Sequence, residues 1–425
     1  MEQTLYQRYL SLLQQELIPA MGCTEPIALA YCAAAAWQAA GGGAPELAVQ
    51  VEVTVSGNII KNVKSVIVPN TGGLRGIETA VAAGLVSGQP DRKLEVLAAL
   101  EPSQQVQIRS LLRRNIIRVF PAQNDELLYI EICLRQKNGV TARAVLQGNH
   151  INLLLVERDG KVIHQGRRLE NSGKPAHPMS VREIYDFAQE ADIQDLEPLV
   201  GRQIDCNLAI AQAGMEGSWG ANVGRTLRQV YGEDVRFLAR AFAAAGSDAR
   251  MSGCEMPVII VSGSGNQGIT ASVPVAVYAK AVGADRERLL RAVTLSDLVT
   301  IHQKTGIGCL SAFCGATCAG CGAGAGIAYL LGGDYKTVAH TIVNALAVVS
   351  GMVCDGAKAS CAAKIAAAID AGILGYELYC HGQEFLDGDG IIRKGVDNTI
   401  GNVGRMARSG MRETDRVILD IMCGC

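Results

Sequence analysis

The feature that most constrains the fold is a change of hydrophobic period near residue 170. Between residues 47 and 165 short apolar–polar alternations recur, in ELAVQVEVTVSG, SVIVP, IIRVFPA, LLYIEICL, TARAVLQG and INLLLVERDGKVIHQ, with one helical interruption, IETAVAAGLVSG. A period of two buries one face of a strand, so these segments predict a sheet. From Val181 onward the pattern is that of helices. RRLENSGKPAHPMS, polar and holding two prolines, reads as the linker between the two textures. The first 40 residues are again helical, broken at Ile18-Pro19 and closed by GGGAPE at 41–46. The expectation is an α+β chain with a mainly helical body and a smaller α+β domain built on a mixed sheet. Its parts are 1–44, N-terminal helices packing on the body; 45–170, the α+β domain; and 171–425, the helical domain. At 425 residues the chain exceeds the usual size of one core, which agrees with two units.

Composition narrows the function classes. Apolar residues make up 49% of the chain and the net charge is only −2, without a long basic run. Nucleic acid and anionic membrane are therefore poor partners. The start, MEQTLYQRYL, lacks the basic-then-apolar pattern of a secretory signal, and no apolar run reaches the ~18 residues of a membrane span. A cytoplasmic protein is expected, in which clustered thiols bind metal more often than they form disulfides.

Those thiols are concentrated. Cys309, Cys314, Cys318, Cys321, Cys354 and Cys361 lie in Gly/Ala-rich stretches, GCLSAFCGATCAGCGAGAG and GMVCDGAKASC. Small neighbours let backbone approach a soft iron–sulfur centre, which takes cysteine ligands. Cys314-x3-Cys318-x2-Cys321 has the spacing of a radical S-adenosylmethionine triplet, but it lies in a helical region with no strand series after it. We read that spacing as coincidence. Cys423 and Cys425 close the chain as IMCGC, and a tail of this kind could fold back onto a metal centre. Cys32, Cys133, Cys206, Cys254 and Cys380 are expected to be inert.

Three further motifs carry chemistry. In Met21-Gly22-Cys23-Thr24-Glu25-Pro26, proline suits a first helical turn, so Cys23 stands just ahead of a helix start. The positive end of the helix favours a thiolate there, as nucleophile or general base; a small buried residue at a turn is the competing reading. Gly57-Asn58 and Pro69-Asn70-Thr71-Gly72-Gly73 follow apparent strands and offer N–H donors to an anion. Ser262-Gly263-Ser264-Gly265-Asn266-Gln267-Gly268 contains a literal G-x-G-x-x-G, yet no βαβ units surround it, so it is kept as a carboxylate or amine clamp rather than a dinucleotide loop. His302 and Lys304 read first as partners of a helix C-terminus and second as catalytic groups. No lysine stands in a convincing Schiff-base context, with Lys304 and Lys358 left open.

With GCTEPIALA, SGNIIKNVKSVIVPNTGG, SGSGNQGI, FCGATCAGCGAGAG and GMVCDGAKASCAAK in the same order along nearly the whole length, the chain resembles the L-cysteine desulfidases, relatives of the iron–sulfur L-serine dehydratases of the α-chain type. The resemblance implies a pyridoxal-independent carbon–sulfur lyase acting on a small amino acid. It implies Cys23 as the base that removes the α-proton. It implies Cys314, Cys354 and Cys361 as ligands to three irons of a [4Fe-4S] cluster, with the fourth iron left open for substrate and Cys425 or Cys423 able to cap it. Asn58, Asn70, Thr71, Ser264 and Asn266, in the SGN, PNTGG and GSGNQG turns, would bind substrate. The expected products are sulfide, pyruvate and ammonia. Serine dehydration, or a non-catalytic iron–sulfur sensor, is the alternative. A homo-oligomer, a dimer, is expected from the habit of soluble enzymes.

Overall fold

The computed structural model describes residues 1–168, 178–308 and 310–423, the Cys423 side chain excepted. The α+β expectation is met. A six-stranded mixed sheet runs Ile117–Pro121, Ala48–Val55, Tyr129–Gln136, Thr141–Gln147, Leu153–Arg158 and Lys161–Gln165 across its width. The first pair is parallel and every other pair antiparallel. Val51, Val53 and Val55 are buried while the residues between them are half-buried, the alternation that the sequence pattern predicts for a strand with one covered face.

The helix Thr24–Ala39 lies on the covered face. It is buried almost throughout, because the helix Ile77–Ser87 closes its other side. The two cross at backbone distance: a Cβ at Gly84 would strike the Ala30 carbonyl group. The earlier helix Gln3–Glu16 goes elsewhere, setting Tyr6 and Tyr9 against Phe187 of Val181–Glu190. The 65–69 stretch, expected as a strand, contributes only the single bridge Ile67↔Arg75. Before it, GNIIKNV winds into the helix Gly57–Val63, which buries Ile59 and Val63 at helical spacing. Three apolar residues among polar ones satisfied either period locally, and packing decided for the helix.

In the helical body small residues set the geometry. A Cβ at Gly320 would meet Ala368, and a Cβ at Gly324 would lie 2.7 Å from the Gly372 Cα. These pairs advance in the same direction, so Gly315–Leu330 and Cys361–Cys380 pack parallel with their backbones in contact. Parallel packing places their N-termini side by side, and there the sequence puts Cys314 and Cys361.

A short antiparallel ladder joins the two textures. Pro19, Ala20 and Met21 pair with Ile259, Val258 and Pro257. In this register the end that leads into Gly22-Cys23 lies at Pro257, while the Ser262–Gly268 loop leaves from the opposite end, where Ile260 N donates to Ile18 O. No helix among the described residues is long and apolar enough to cross a membrane.

Candidate active site

Four thiols line one cavity of about 100 Å³: Cys23, Cys314, Cys354 and Cys361. Each is held by a separate device. Cys23 is the N-cap of Thr24–Ala39, Cys314 the N-cap of Gly315–Leu330, and Cys361 the first residue of Cys361–Cys380. Three helix N-termini thus point their positive ends at one space, a field that favours thiolate and other anionic sulfur. Cys354 reaches the same space on an irregular segment zipped to the one before Cys314. Cys314 N donates to Met352 O at 3.0 Å, Cys354 N donates to Ala312 O at 2.6 Å, and Phe313 bridges Val353. Asp355 then clamps the loop through ion pairs to Lys358 and Lys364. Burial alone would raise the Asp355 carboxyl, but the two ammonium groups hold it down to about 2.

All four thiols are free of disulfides. Burial first, then the neighbouring Cys354 and Cys361, pushes the Cys314 thiol up; burial does the same to Cys361. Among the described residues no three His, Cys, Asp or Glu side chains converge as a single metal ion would require. Three thiols spread around a shared space are instead what a cluster needs, because each thiolate then takes its own iron. The donor set, three thiols with Gly315, Ala316, Gly356 and Ala357 among their neighbours, fits an iron–sulfur cluster and no hard cation.

Cys23 departs from the expectation drawn from its helix start. Its thiol is pushed well up, by burial first and by the Glu25 carboxylate second. Its Sγ donates to Glu25 Oε2 at 3.1 Å. Thr24 Oγ1 donates to the same oxygen at 3.1 Å, and Asn62 Nδ2 donates to Oε1 at 3.0 Å. His150 Nε2 stands 3.8 Å from Oε1, too long for a hydrogen bond and close enough for an ion pair. Burial would raise Glu25, yet His150 and the Cys23 thiol together bring it down to about 2. The helix field is therefore the weaker term, and Cys23 rests as a thiol held by a carboxylate.

Glu25, Asn62, His150 and Arg250 are the residues that sequence reasoning missed. His150 follows a sheet strand and gives no local sign of its partner 125 positions earlier. It also lines a second cavity of about 260 Å³, together with Glu16, Ser262 and Lys304. Lys304 lines both spaces. Arg250, near the end of Val235–Met251, resembles an ordinary cation at a helix C-terminus. In the structure it is only 3% exposed and faces the thiol cavity. Its Nη1 donates to Asn266 Oδ1 at 3.1 Å, while Nε and Nη2 have no partner.

The other nominated residues divide. Ser264 and Asn266 line the cavity with the thiols. Asn70 and Thr71 do not: Asn70 Nδ2 donates to Leu97 O at 2.8 Å, and Thr71 Oγ1 to Val68 O at 2.7 Å. Asn58 is buried in the first turn of Gly57–Val63, outside the lining, with its Oδ1 unpartnered. Cys318 and Cys321 are sealed inside the helical packing, where Cys321 Sγ donates to Ile342 O at 3.5 Å. His302 is engaged elsewhere, with Nε2 2.8 Å from Asp397 Oδ1, and Lys358 is paired with Asp355. Cys309 and Cys425 lie outside the described residues, as does the side chain of Cys423. The helix carrying Cys423, Arg412–Cys423, is docked beside Gly57–Val63 by the buried Lys61–Asp415 ion pair and by Lys64 Nζ donating to Met422 O.

Comparison with known proteins identifies the family. The family model described as serine dehydratase alpha chain matches residues 91–420. The UPF0597 protein of Desulfitobacterium hafniense (strain Y51) is 52% identical over 420 residues, 98% of this chain and 96% of its own. Those of Lachnoclostridium phytofermentans and Finegoldia magna are 45% and 43% identical, covering 98% and 97% of this chain and 100% and 99% of their own. The chain belongs to the serine dehydratase alpha-chain family, among its UPF0597 members and related to the iron–sulfur serine dehydratases.

Proposed function

We propose that the protein is an iron–sulfur-dependent L-cysteine desulfidase, which eliminates sulfide from L-cysteine and yields pyruvate and ammonia. One observation carries this reading: a candidate base, Cys23, shares a small cavity with three thiols suited to a cluster. Elimination needs two things at once, removal of a weakly acidic α-proton and stabilisation of the leaving group. Cys314, Cys354 and Cys361 would hold the [4Fe-4S] cluster, which when bound supplies Lewis acidity toward the leaving group. The rest falls to side chains of the chain itself.

Cys23 must lose its proton before it can act as a base. The hydrogen bond to Glu25 Oε2 gives that proton its path, and Glu25 meets His150, which opens on the second cavity. Asn62 and Thr24 hold the carboxylate in place during the exchange. The Arg250 guanidinium opposes the upward shift of the Cys23 thiol and draws it back toward the working range. The aminoacrylate released by elimination then hydrolyses in water.

L-Serine is the second reading, supported by the family description serine dehydratase alpha chain. The two substrates differ by one atom at the leaving group. The test is an anaerobic assay of reconstituted protein, with a Cys23→Ala variant beside it. Equal sulfide and pyruvate from L-cysteine, lost in the variant while iron is retained, is the expected result. Pyruvate from L-serine alone moves the protein to the dehydratase side. A stable cluster with neither product leaves the sensor reading.

A further inference from the structure

The thiol cavity holds two buried polar groups that the fold leaves without partners, and they are of opposite kinds. Arg250, 3% exposed, presents unpaired Nε and Nη2 donors. Gln267, 4% exposed, presents an unpaired Oε1 acceptor. Both side chains line the cavity. A buried guanidinium without a counter-charge is costly, as is a buried carbonyl oxygen without a donor. Among the described lining residues the only carboxylate is Glu25, and its oxygens are already committed to Cys23, Thr24 and Asn62. No carboxylate among the described lining residues is therefore left to pair with Arg250.

The surrounding glycines show that this space is built. A Cβ at Gly265 would lie 2.7 Å from Arg250 Cζ and 2.6 Å from Val258. A Cβ at Gly315 would lie 2.7 Å from Gln267 Cδ. Each polar side chain is thus seated over a residue that has to be glycine, and Asn266 fixes the guanidinium plane through Nη1.

We propose that Arg250 and Gln267 form a clamp for the α-carboxylate and α-ammonium of an amino acid, Arg250 giving two parallel N–H donors and Gln267 Oε1 accepting from the ammonium. Two adjacent guanidinium donors match the two oxygens of a carboxylate. The clamp replaces the PNTGG and SGN turns as the recognition element, and it rests on the reading that the substrate is an amino acid. It selects for the zwitterion and leaves the β-substituent free, as a lyase of this class requires.

The experiment is calorimetric titration of anaerobic, reconstituted protein with L-alanine, L-alaninamide and propionate, with iron content measured on each sample. L-Alanine has no leaving group and does not turn over. Wild type is expected to bind L-alanine at least about tenfold more tightly than either analogue. Arg250→Gln should erase the preference over L-alaninamide and keep that over propionate; Gln267→Met should do the reverse. A general structural defect would not produce this crossed pattern. Equal wild-type affinity for all three ligands overturns the clamp even if neither variant folds. Unchanged preferences in both variants, with iron retained, overturn it too. A protein that discriminates among these ligands but releases neither sulfide nor pyruvate keeps the clamp and removes the lyase reading. A working lyase without discrimination does the opposite.

Discussion

Two glycine-rich turns, alike in sequence, do opposite work. In Pro69-Asn70-Thr71-Gly72-Gly73 the glycines serve the backbone: Asn70, Gly72 and Gly73 all have positive φ, at 58°, 70° and 83°. The polar side chains are spent locally, on Leu97 O and Val68 O. The turn then acts as a buttress. A Cβ at Gly22 would collide with Pro69, and Asn70 Nδ2 donates to the Met21 sulfur at 3.6 Å, so it supports the bend that carries Cys23. In Ser262–Gly268 Gly263 also has a positive φ, at 77°, but it and Gly265 in addition serve side chains from elsewhere. Gly263 leaves room for the His150 ring and Gly265 for the Arg250 guanidinium. A glycine can thus mark a backbone need or a vacated volume, and only the neighbours across the fold tell which.

The contrast is broken most forcefully at Gly265. Gly265→Ala drives a methyl into the Arg250 guanidinium and Val258. The guanidinium has to move, and a displacement of about 1 Å at a reacting centre costs on the order of a hundredfold in rate. The expected result is a loss of that size in kcat/KM for L-cysteine, with a stability cost of only about 1–3 kcal/mol. A variant with near-normal turnover would show that the vacated volume has no functional content.

Glu25→Gln tests the charge behind Cys23. The folded carboxyl sits at about 2 against an ordinary 4.5, so its stabilising effect is present above pH 4.5 and lost as pH falls toward 2. At about 1.4 kcal/mol per pKa unit, wild type should lose at most about 3.5 kcal/mol over that range through this group. The variant should lack that acid limb in melting experiments. Removing the carboxylate also removes one cause that raises the thiol, so the ascending limb of the pH–rate profile should move to lower pH. An unmoved limb would take Glu25 out of the control of Cys23.

Much of the frame was legible because it depends on local period. The alternation in 48–55 and 129–136 mapped directly onto buried and half-buried faces of the sheet. Proline at 26 marked the start of the helix that Cys23 caps. What stayed hidden depends on partners distant in sequence. Cys314 and Cys361 meet because Gly320, Gly324 and Gly372 allow two helices to touch, and composition shows the glycines but not the pairing. Glu25 and His150 meet across the sheet domain, and Arg250 is aimed inward by a helix whose end looks unremarkable in sequence. The sign of the Cys23 shift was misjudged for the same reason. The helix field is visible in the motif, whereas the burial that outweighs it is a property of the assembled fold.

The smallest effects belong to the buttress, and they separate its two contributions. Thr71→Ala removes a hydroxyl that donates to Val68 O in a fully buried position, which should cost about 1 kcal/mol. At Asn70 the choice of substitution matters. Asn70→Ala loses the bond to Leu97 O and leaves a β-carbon in the left-handed region, a strain of roughly 1–2 kcal/mol. Asn70→Gly loses the same bond but relieves the strain, so it should be the more stable of the two. In denaturant titrations the order is therefore wild type, then Gly, then Ala, with kcat and KM for L-cysteine within about twofold of wild type throughout. Equal stability of the Gly and Ala variants would mean that the φ of 58° carries no penalty there. A rise in KM with stability unchanged would return Asn70 to the substrate. The two turns would then differ in geometry but share one function, because the buttress under Cys23 would also reach the ligand that Cys23 deprotonates.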